Sequence, residues 1–450
     1  MNTPYKYKKD SGLKWLDEVP AHWEVRRLKF VVRYQNSNVD KKSYEGQKNV
    51  RLCNYTDVYY NEKITNNMDF MVATATDAEI KSMCLKEGDV VITKDSEDPA
   101  DIGIPAIISE PLDNVVCGYH LTVLRTKEPD AARYLHRAIQ SHPSRAHFFV
   151  ESPGVTRFGL NQEAIGGLTI PVPPIVERNQ IAAFLDEKTT QIDQLIEKKT
   201  RFIELIKEKR AALVTEAVTG KFDARTGKPY AEYKDSGVEW LGKVPAHWEV
   251  KPLKRGYSVK LGKMLQPVQQ APQDVLKPYL RASNIQPDGI YVSGVKEMWF
   301  SPLELGVLRL KYGDLLVSEG GDVGRSAIWR RELEEAYYQN SINRVRGLEG
   351  NNNYYLNYLL SCIKESGAID VICNRLSIAH LTTEKLNEIQ ILFPTAEEQS
   401  AIAAFLDEKT TQVDQLIEKT QQSIDLLKEK RAALITAAVT GKIDVRNERI

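Results

Sequence analysis

The sequence is poor in cysteine. Its 450 residues include five, namely Cys53, Cys84, Cys117, Cys362 and Cys373, and no two of them form a CxxC pair. Disulfide frameworks and zinc ribbons need paired or closely spaced cysteines, so the sequence argues against both. We expect five reduced thiols that behave as small apolar side chains.

Long apolar runs and an excess of either charge are missing too. No stretch reaches the ~18–20 apolar residues that span a bilayer, and the opening MNTPYKYKKDSG has no apolar core of a secretory signal. The 61 Lys and Arg residues balance 61 Asp and Glu residues. We expect a soluble, cytoplasmic protein of two or three domains, without the basic excess of a free-standing DNA-binding protein.

Motifs that carry chemistry are largely absent. The sequence has no GxxxxGK(S/T) phosphate loop and no GxGxxG fingerprint. The string PVPP at 171–174 lacks the Asn or Asp and the aromatic residue of an amino-methyltransferase loop. His136, His142 and His147 do not share a helix face, so a solvated helix end is favoured over a metal site. A nuclease site built from Asp89, Lys94 and Asp95 is disfavoured, because Asp314, Ser318 and Glu319 at the repeated positions do not preserve it.

What the chain contains is a tandem repeat. DSGLKWLDEVPAHWEVRRLK at 10–29 returns as DSGVEWLGKVPAHWEVKPLK at 235–254, and residues 181–223 return at 402–444 with most letters identical. The regions between diverge but share a skeleton: VRLCNYTDV and YLRASNIQPDG align Arg51 with Arg281 and Asn54 with Asn284. Short runs such as DVVIT, LTVLR, DLLVS and INRVR, broken by Gly, Asn and Pro, predict mixed α/β domains of many short strands.

The second repeated block predicts a long helix in each half. Neither Pro nor Gly occurs from Glu177 to Thr219, and Gly220 and Gly441 follow as C-cap candidates. Apolar residues at steps of four and three predict a coiled-coil seam, and we expect the two helices to pair antiparallel around a pseudo-two-fold axis. The predicted seam is Ile181, Leu185, Ile192, Leu195, Phe202, Ile206, Leu213, Ile402, Leu406, Val413, Leu416, Leu427 and Leu434.

The order WLxxVPAHWEVxxLK, variable region, and long helix ending in AVTGKFD, then the same order ending in AVTGKID, resembles the specificity (S) subunit of type I restriction–modification systems. The resemblance covers essentially the whole chain. It implies two globular α/β target-recognition domains joined by two long helices in an antiparallel coiled coil. The expected divisions are an N-terminal segment (1–25), a first recognition domain (26–175), a first helical region (176–221), a linker with the repeated segment (222–250), a second recognition domain (251–396), a second helical region (397–442) and a tail (443–450).

The resemblance also implies a function. Each recognition domain would read one half of a bipartite site in double-stranded DNA, while the coiled coil sets the spacing and docks two methylation (M) subunits that methylate adenine at N6. S-adenosylmethionine, ATP and Mg are expected on the partner subunits, and two restriction (R) subunits can join the complex. The chain itself is expected to be non-catalytic and to bind no cofactor or metal. A coiled-coil scaffold joining two protein-binding domains is the alternative.

Candidate DNA-contacting residues follow from the chemistry of readout. Arg pairs with guanine and Asn or Gln with adenine, while Lys, Arg and glycine-rich turns hold phosphates. Because Arg51 and Arg281 align in both halves, turn-building or phosphate contact fits them better than base reading. The candidates are Arg51, Lys94, Tyr119, His120, Thr156, Arg157, Asn161, Arg281, Arg325, Gln339, Asn340, Arg344, Asn374 and Arg375.

Overall fold

The structure is a computed structural model that describes residues 4–13, 15–238, 241–373 and 380–446. The chain divides into two compact units. Unit 1 contains the residues up to Thr200 together with those from Thr420 onward, and unit 2 contains Arg201–Lys419. All five cysteines carry free thiols, and four of them are buried. Along the described ranges, no helix combines the length and apolar composition that crossing a bilayer requires.

Unit 1 is a mixed α/β domain of short strands, as the sequence predicts. Its main sheet has the order β4-β12-β8-β10-β6, and a second sheet has the order β11-β5-β7. The strands are β1 (Lys8–Leu13), β2 (Leu16–Pro20), β3 (Glu24–Arg27), β4 (Val32–Asn36), β5 (Lys48–Cys53), β6 (Lys63–Ile64), β7 (Met71–Ala75), β8 (Val90–Thr93), β9 (Asp95–Ser96), β10 (Pro105–Ile108), β11 (Val115–Cys117), β12 (Leu121–Thr126), β13 (Phe158–Gly159) and β14 (Thr169–Val172). The helices are α1 (Leu28–Val31), α2 (Tyr55–Tyr60), α3 (Asp77–Met83), α4 (Ala132–Gln140), α5 (His142–Val150), α6 (Gln162–Gly167) and the first part of α7 (Ile175–Val218).

Unit 2 repeats this plan with a different sequence. Its sheets have the orders β18-β26-β23-β24 and β22-β19-β25. The strands are β15 (Tyr233–Asp235), β16 (Lys243–Pro245), β17 (Glu249–Pro252), β18 (Tyr257–Leu261), β19 (Val275–Leu280), β20 (Ile285–Gln286), β21 (Gly289–Ile290), β22 (Lys296–Phe300), β23 (Leu315–Ser318), β24 (Ser326–Ile328), β25 (Tyr337–Tyr338), β26 (Ile342–Gly347) and β27 (Gln390–Phe393). The helices are the second part of α7, α8 (Pro302–Leu308), α9 (Asn353–Glu365), α10 (Ala368–Cys373), α11 (Thr383–Glu388) and the first part of α12 (Ala396–Val439), whose residues from Thr420 onward belong to unit 1.

The two long helices pair antiparallel within each unit. In unit 1 the start of α7 shares a core with the end of α12, and Arg431 pairs with Asp193 at 2.8 Å. In unit 2 the end of α7 shares a core with the start of α12, and Arg210 pairs with Asp414 at 3.0 Å. The long helices and their antiparallel pairing are therefore confirmed.

The buried face of the helices differs from the predicted seam at three positions. Leu195, Phe202 and Leu416 are 47%, 44% and 44% exposed. The neighbouring Ile196 is half-buried, and Ile203 is only 8% exposed. Leu195 and Phe202 form one apolar column on α7, and Ile196 and Ile203 form a second column beside it. The second column is the more buried of the two. The remaining predicted seam residues are buried or half-buried, namely Ile181, Leu185, Ile192, Ile206, Leu213, Ile402, Leu406, Val413, Leu427 and Leu434.

A polar cluster fixes the ends of the helices in unit 1. Glu177, in the first turn of α7, has a side chain only 6% exposed and meets His22 Nε2 at 2.7 Å. The hydroxyl of Tyr5 donates to the same carboxylate. Arg446 lies just beyond the end of α12. Its guanidinium carbon is 4.9 Å from the centre of the Tyr5 ring, and its side chain forms an ion pair with Asp444. This cluster joins the N-terminal segment to the start of one helix and the end of the other.

Unit 2 contains the same cluster, built from the repeated residues. Glu398, in the first turn of α12, has a side chain only 2% exposed and meets His247 Nε2 at 3.0 Å. Arg225, beyond the end of α7, contacts Glu398 at 3.4 Å and forms an ion pair with Asp223. Burial favours a raised pKa for Glu398, but the hydrogen bond from His247 prevails and holds the pKa below its ordinary range. Glu398 therefore stays ionised at neutral pH.

The units differ where the globular part meets the helices. In unit 1, Arg137 of α4 has a side chain only 3% exposed and contacts Asp186 at 2.8 Å and Glu62 at 3.0 Å. Arg431 of α12 also pairs with Glu62. In unit 2 a tyrosine on α9 takes the equivalent place, because the hydroxyl of Tyr358 donates to Asp407 at 2.7 Å. Unit 1 therefore has a partly buried ionic network, and unit 2 has a hydrogen bond from a tyrosine hydroxyl to an aspartate at the same place.

Replacement of Arg431 by alanine should destabilise unit 1 more than replacement of Arg210 destabilises unit 2. The Arg431 side chain is 17% exposed and has two carboxylate partners, whereas Arg210 and Asp414 are 36% and 56% exposed. We expect about 2 kcal/mol or more for Arg431→Ala and under about 1 kcal/mol for Arg210→Ala. Hydrogen exchange of peptides from α12 measures both, and equal losses would contradict the assignment.

The same network should give unit 1 an acid-sensitive contribution to stability. Burial alone would raise the pKa of both carboxylates. The charges of Arg431 and Arg137 outweigh burial at Glu62 and lower its pKa from the ordinary 4.5. Hydrogen bonds from Arg133 and Arg137 likewise lower the pKa of Asp186 from the ordinary 3.8. A lowered folded pKa stabilises at pH values above the unfolded pKa and loses that effect as the pH falls through the folded value. Exchange of the α12 peptides of unit 1 should therefore rise on acidification below about pH 4, and less so in Arg431→Ala.

A glycine follows each long helix, at the point where the repeated segment packs against the end of that helix. Gly441 has a φ of +69°, and a Cβ there would overlap the ring of Pro20; Gly220 has a φ of +72° and stands in the same relation to Pro245. We expect alanine at either position to cost about 3 kcal/mol. Gly237→Ala is the matched control, since its φ is +71° with open space around it, so that only about 1 kcal/mol of backbone strain is expected. Similar thermal shifts in all three variants would contradict the packing argument.

Candidate nucleic-acid interface

The same short turn lies at the rim of the sheets in both units. It comprises residues 118–120 between β11 and β12 in unit 1, and residues 339–341 between β25 and β26 in unit 2. We call each the connecting turn. Its first amide donates to the end of the neighbouring strand, from Gly118 to Cys53 O and from Gln339 to Leu280 O, both at 2.9 Å. The connecting turns are therefore equivalent, so Tyr119 and His120 in unit 1 correspond to Asn340 and Ser341 in unit 2.

In unit 1 the connecting turn is part of a charged cluster. Asp95 accepts a hydrogen bond from Arg157 Nη2 at 2.9 Å and pairs with His120 Nδ1. The hydrogen bond and charge of Asp95 raise the pKa of Arg157, whose side chain is 60% exposed. The Tyr119 ring lies against His120, with the ring centres 3.6 Å apart. A cation and two rings are therefore held together at the surface, beside the half-buried Lys94 and the exposed Thr156.

In unit 2 the connecting turn itself carries no charged side chain. Gln339 and Asn340 are half-buried in the connecting turn. Arg325 has a side chain 19% exposed, and it reaches Gln286 Oε1 at 3.2 Å and Ala282 O at 3.4 Å. Glu319 takes the place of Lys94, because its amide donates to Ser341 O as that of Lys94 donates to His120 O. Burial raises the pKa of Glu319. The two units thus present different chemistry on one framework.

Several predicted contact residues have structural roles in these units. Arg51 donates to Asn66 Oδ1 at 2.7 Å and Met68 O at 3.1 Å, and its guanidinium lies over Phe70. Asn161 caps α6 by accepting from the Ala164 amide at 2.7 Å. Arg344 is 7% exposed and donates to Val307 O at 2.8 Å. Arg281 is half-buried at the 3-10 turn that follows β19, and Asn374 and Arg375 lie outside the described residues.

The strand registers overturn the alignment of Arg51 with Arg281. In unit 1 Cys53 pairs with Cys117, and in unit 2 Leu280 pairs with Tyr338, each just before the connecting turn. Arg281 therefore corresponds to Asn54, and Arg51 corresponds to Pro278. The sequence alignment of the two strands was three residues out of register, because each strand leads into a capped turn that contains Asn. Turn-building, one of the two roles predicted for these residues, fits the contacts of Arg51.

The candidate catalytic groupings do not assemble. Asp89 is 4% exposed and binds Arg125 Nε at 3.0 Å, and Asp314 makes the same kind of pair with Arg346 in unit 2. Both are structural ion pairs at the start of a sheet strand. Burial lowers the pKa of His136 to about 4, and His147 contacts Ala164 O. Within the residues that the structure describes, no cluster of His, Cys, Asp or Glu could hold a metal ion.

Asp95 was missed as a member of the surface cluster. The sequence suggested it only for a nuclease site, since nothing in the letters shows that residues 95, 120 and 157 converge. Glu319 was also missed, because it occupies the position equivalent to Lys94 but carries the opposite charge.

Alanine at Arg51 and at Arg157 should separate a structural from an exposed arginine. Arg51→Ala removes charge-assisted hydrogen bonds within unit 1, and we expect a loss of about 2 kcal/mol. Arg157→Ala removes an exposed ion pair, with an expected loss of under about 1 kcal/mol. Urea unfolding followed by hydrogen exchange of peptides from unit 1 measures both, and a larger loss for Arg157→Ala would contradict the placement.

Comparison with known proteins agrees with this layout. The family model described as type I restriction modification DNA specificity domain matches residues 20–205 and 305–426. The MjaX specificity subunit of Methanocaldococcus jannaschii, a type I restriction enzyme subunit, is 23% identical over 98% of both chains. The MjaVIII specificity subunit of the same organism is 22% identical over 98% of this chain and 96% of its own.

Solved structures show the same fold. A chain from a structure of a type I R-M system has a TM-score of 0.70 at 15% identity, covering 94% of this chain and 99% of its own. The HsdS subunit from Thermoanaerobacter tengcongensis has a TM-score of 0.56 at 16% identity, covering 94% and 98%. With two α/β units, paired long helices and a family match over more than half of its residues, this chain belongs to the type I restriction–modification DNA specificity family.

Proposed function

We propose that the chain is the non-catalytic sequence-specificity subunit of a type I restriction–modification complex. Residues 26–175 and 251–396 are then two target-recognition domains, and each reads one half of a bipartite site in double-stranded DNA. The observation that carries this proposal is the contrast between the units: the polar clusters around Glu177 and Glu398 are the same, whereas the surfaces at the connecting turns differ. Two independent readers on a common framework require this combination.

The outer faces of the helices support a partner that binds twice. Glu187 accepts from Lys188 at 3.2 Å and from Gln191 at 2.8 Å in unit 1. Glu408 accepts from Lys409 at 3.1 Å and from Gln412 at 3.0 Å in unit 2. Packing of the helix seam does not need these surface contacts to be identical. We therefore assign the two faces to two identical methylation subunits, which hold S-adenosylmethionine and methylate adenine N6 in each half-site.

Division of labour follows from the same assignment. The chain contributes base reading and the paired helices that set the spacer, and the methylation subunits contribute the reaction. Two restriction subunits with ATP and Mg can join such a complex. Because an adenine in a duplex is stacked out of reach, the methylation subunit has to flip its target base. The role of the recognition domains is to place that adenine in register.

An exchange of recognition domains tests the proposal. Residues 258–381 are replaced by those of another family member, and N6-methyladenine is mapped in cells that also express the methylation subunit. We expect a split motif in which one half changes and the other is kept. The matched control exchanges residues 33–160, which the strand registers make equivalent, and it should change the other half. A motif indifferent to both exchanges would favour a scaffold joining protein-binding domains.

A further inference from the structure

A loop of unit 2 displays apolar side chains without any charge. It comprises residues 264–273, in the connection between β18 and β19, and we call it the uncharged loop. Met264 is 74% exposed, Leu265 53% and Val268 70%. The ten residues MLQPVQQAPQ contain no Lys, Arg, Asp or Glu, although 27% of the chain is charged. Exposed apolar residues grouped in this way mark an interaction surface.

The uncharged loop is held in place by hydrogen bonds to Asp274, which follows it, and to Trp299 on β22. Asp274 is 8% exposed, and its carboxylate accepts from the amides of Gln270 at 3.2 Å and Ala271 at 3.1 Å. The same carboxylate accepts from the side chain of Gln266 at 3.2 Å, and the Trp299 amide donates to Gln266 O at 3.0 Å. Met264 and Val268 are thus presented by a pre-organised backbone, which lowers the entropy cost of binding.

The loop begins at the connecting turn of unit 2. The Lys263 amide donates to Tyr338 O at 3.1 Å, and the Asn340 amide donates to Lys263 O at 2.9 Å. A Cβ on Gly262 would overlap the Gln339 carbonyl, so glycine is required for this close approach. The uncharged loop is therefore continuous with the surface formed by Gln339 and Asn340.

Unit 1 has the opposite chemistry at the equivalent place. Val39 accepts from the Tyr119 amide at 3.0 Å, as Lys263 accepts from Asn340. The residues that follow are DKKSYEGQ, and Lys41 and Lys42 are exposed. Lysines suit phosphates, which carry no sequence information, whereas apolar side chains and carboxamides suit base edges. The two loops therefore fit different parts of a duplex.

We propose that the uncharged loop is a base-reading element of unit 2 that recognises A·T pairs in the major groove. Met264 and Val268 contact thymine methyl groups, and the exposed carboxamide of Gln270 pairs with adenine. This inference rests on the proposed function, because it names which bases the second recognition domain reads and with which residues. A phosphate contact is disfavoured because the loop has no cation, and the preceding Lys263, whose side chain is only 10% exposed, is already paired with Glu304.

The test uses the full chain expressed with its methylation subunit. Motifs and rates of N6-adenine methylation are compared for wild type, Gln270→Ala and the double variant Met264→Ala, Val268→Ala. We expect discrimination for A·T pairs in one half-site to fall about tenfold while the other half is unchanged. The matched control is Lys41→Gln, Lys42→Gln in the equivalent loop, which should slow methylation at all sites without altering the motif.

Each other outcome has a definite meaning. Wild-type motif and rates in both loop variants would overturn the inference. An unchanged motif with loss of the methylation subunit on co-purification would make the loop a protein-docking surface, and would overturn it too. If the double variant fails to fold, the single variants Val268→Asn and Gln270→Ala carry the test, since both change exposed side chains and Asn has no methyl group to contact thymine. A wild-type complex without a split motif would instead remove the proposed function itself.

Discussion

A buried carboxylate in the first turn of a long helix is the constraint on which each unit depends. Glu177 and Glu398 have side chains only 6% and 2% exposed. Burial of an ionised group is costly unless it is paired and hydrogen-bonded. The partners come from distant parts of the chain: a histidine from the repeated segment and an arginine from beyond the end of the other helix. The carboxylate therefore holds three segments together, and it explains why the segments are repeated as a set.

The regions that diverge are free of that constraint. Each connecting turn is fixed by backbone hydrogen bonds, so the turns keep their geometry while most of their side chains change. The same principle explains the differing contacts between α4 or α9 and the long helices. Arg137 and Tyr358 meet equivalent Asp residues, but one does so with a charge and the other with a hydroxyl. The framework specifies positions, and the side chains are chosen separately in each unit.

Long helices and repeats were predictable because they depend on local propensity and on identity of letters. Two errors mark the limit of that approach. Leu195 and Phe202 stand next to Ile196 and Ile203, and apolar spacing alone cannot choose between neighbouring columns when both fit. Arg51 and Arg281 look equivalent, yet strand pairing shows a shift of three residues. Register and facing residues depend on which strands pair, and that information is not local.

The site was the least predictable part for the same reason. Asp95, His120 and Arg157 converge from three separate segments, so no spacing in the sequence reveals them. The balanced overall charge also concealed a difference between the units, since unit 1 displays cations at its connecting turn and unit 2 displays amides and apolar groups. Ionic contacts to phosphates strengthen binding regardless of sequence, whereas uncharged contacts discriminate between bases. If the chain reads DNA as proposed, each unit discriminates the bases of its own half-site, and the cations displayed by unit 1 add affinity that does not depend on sequence.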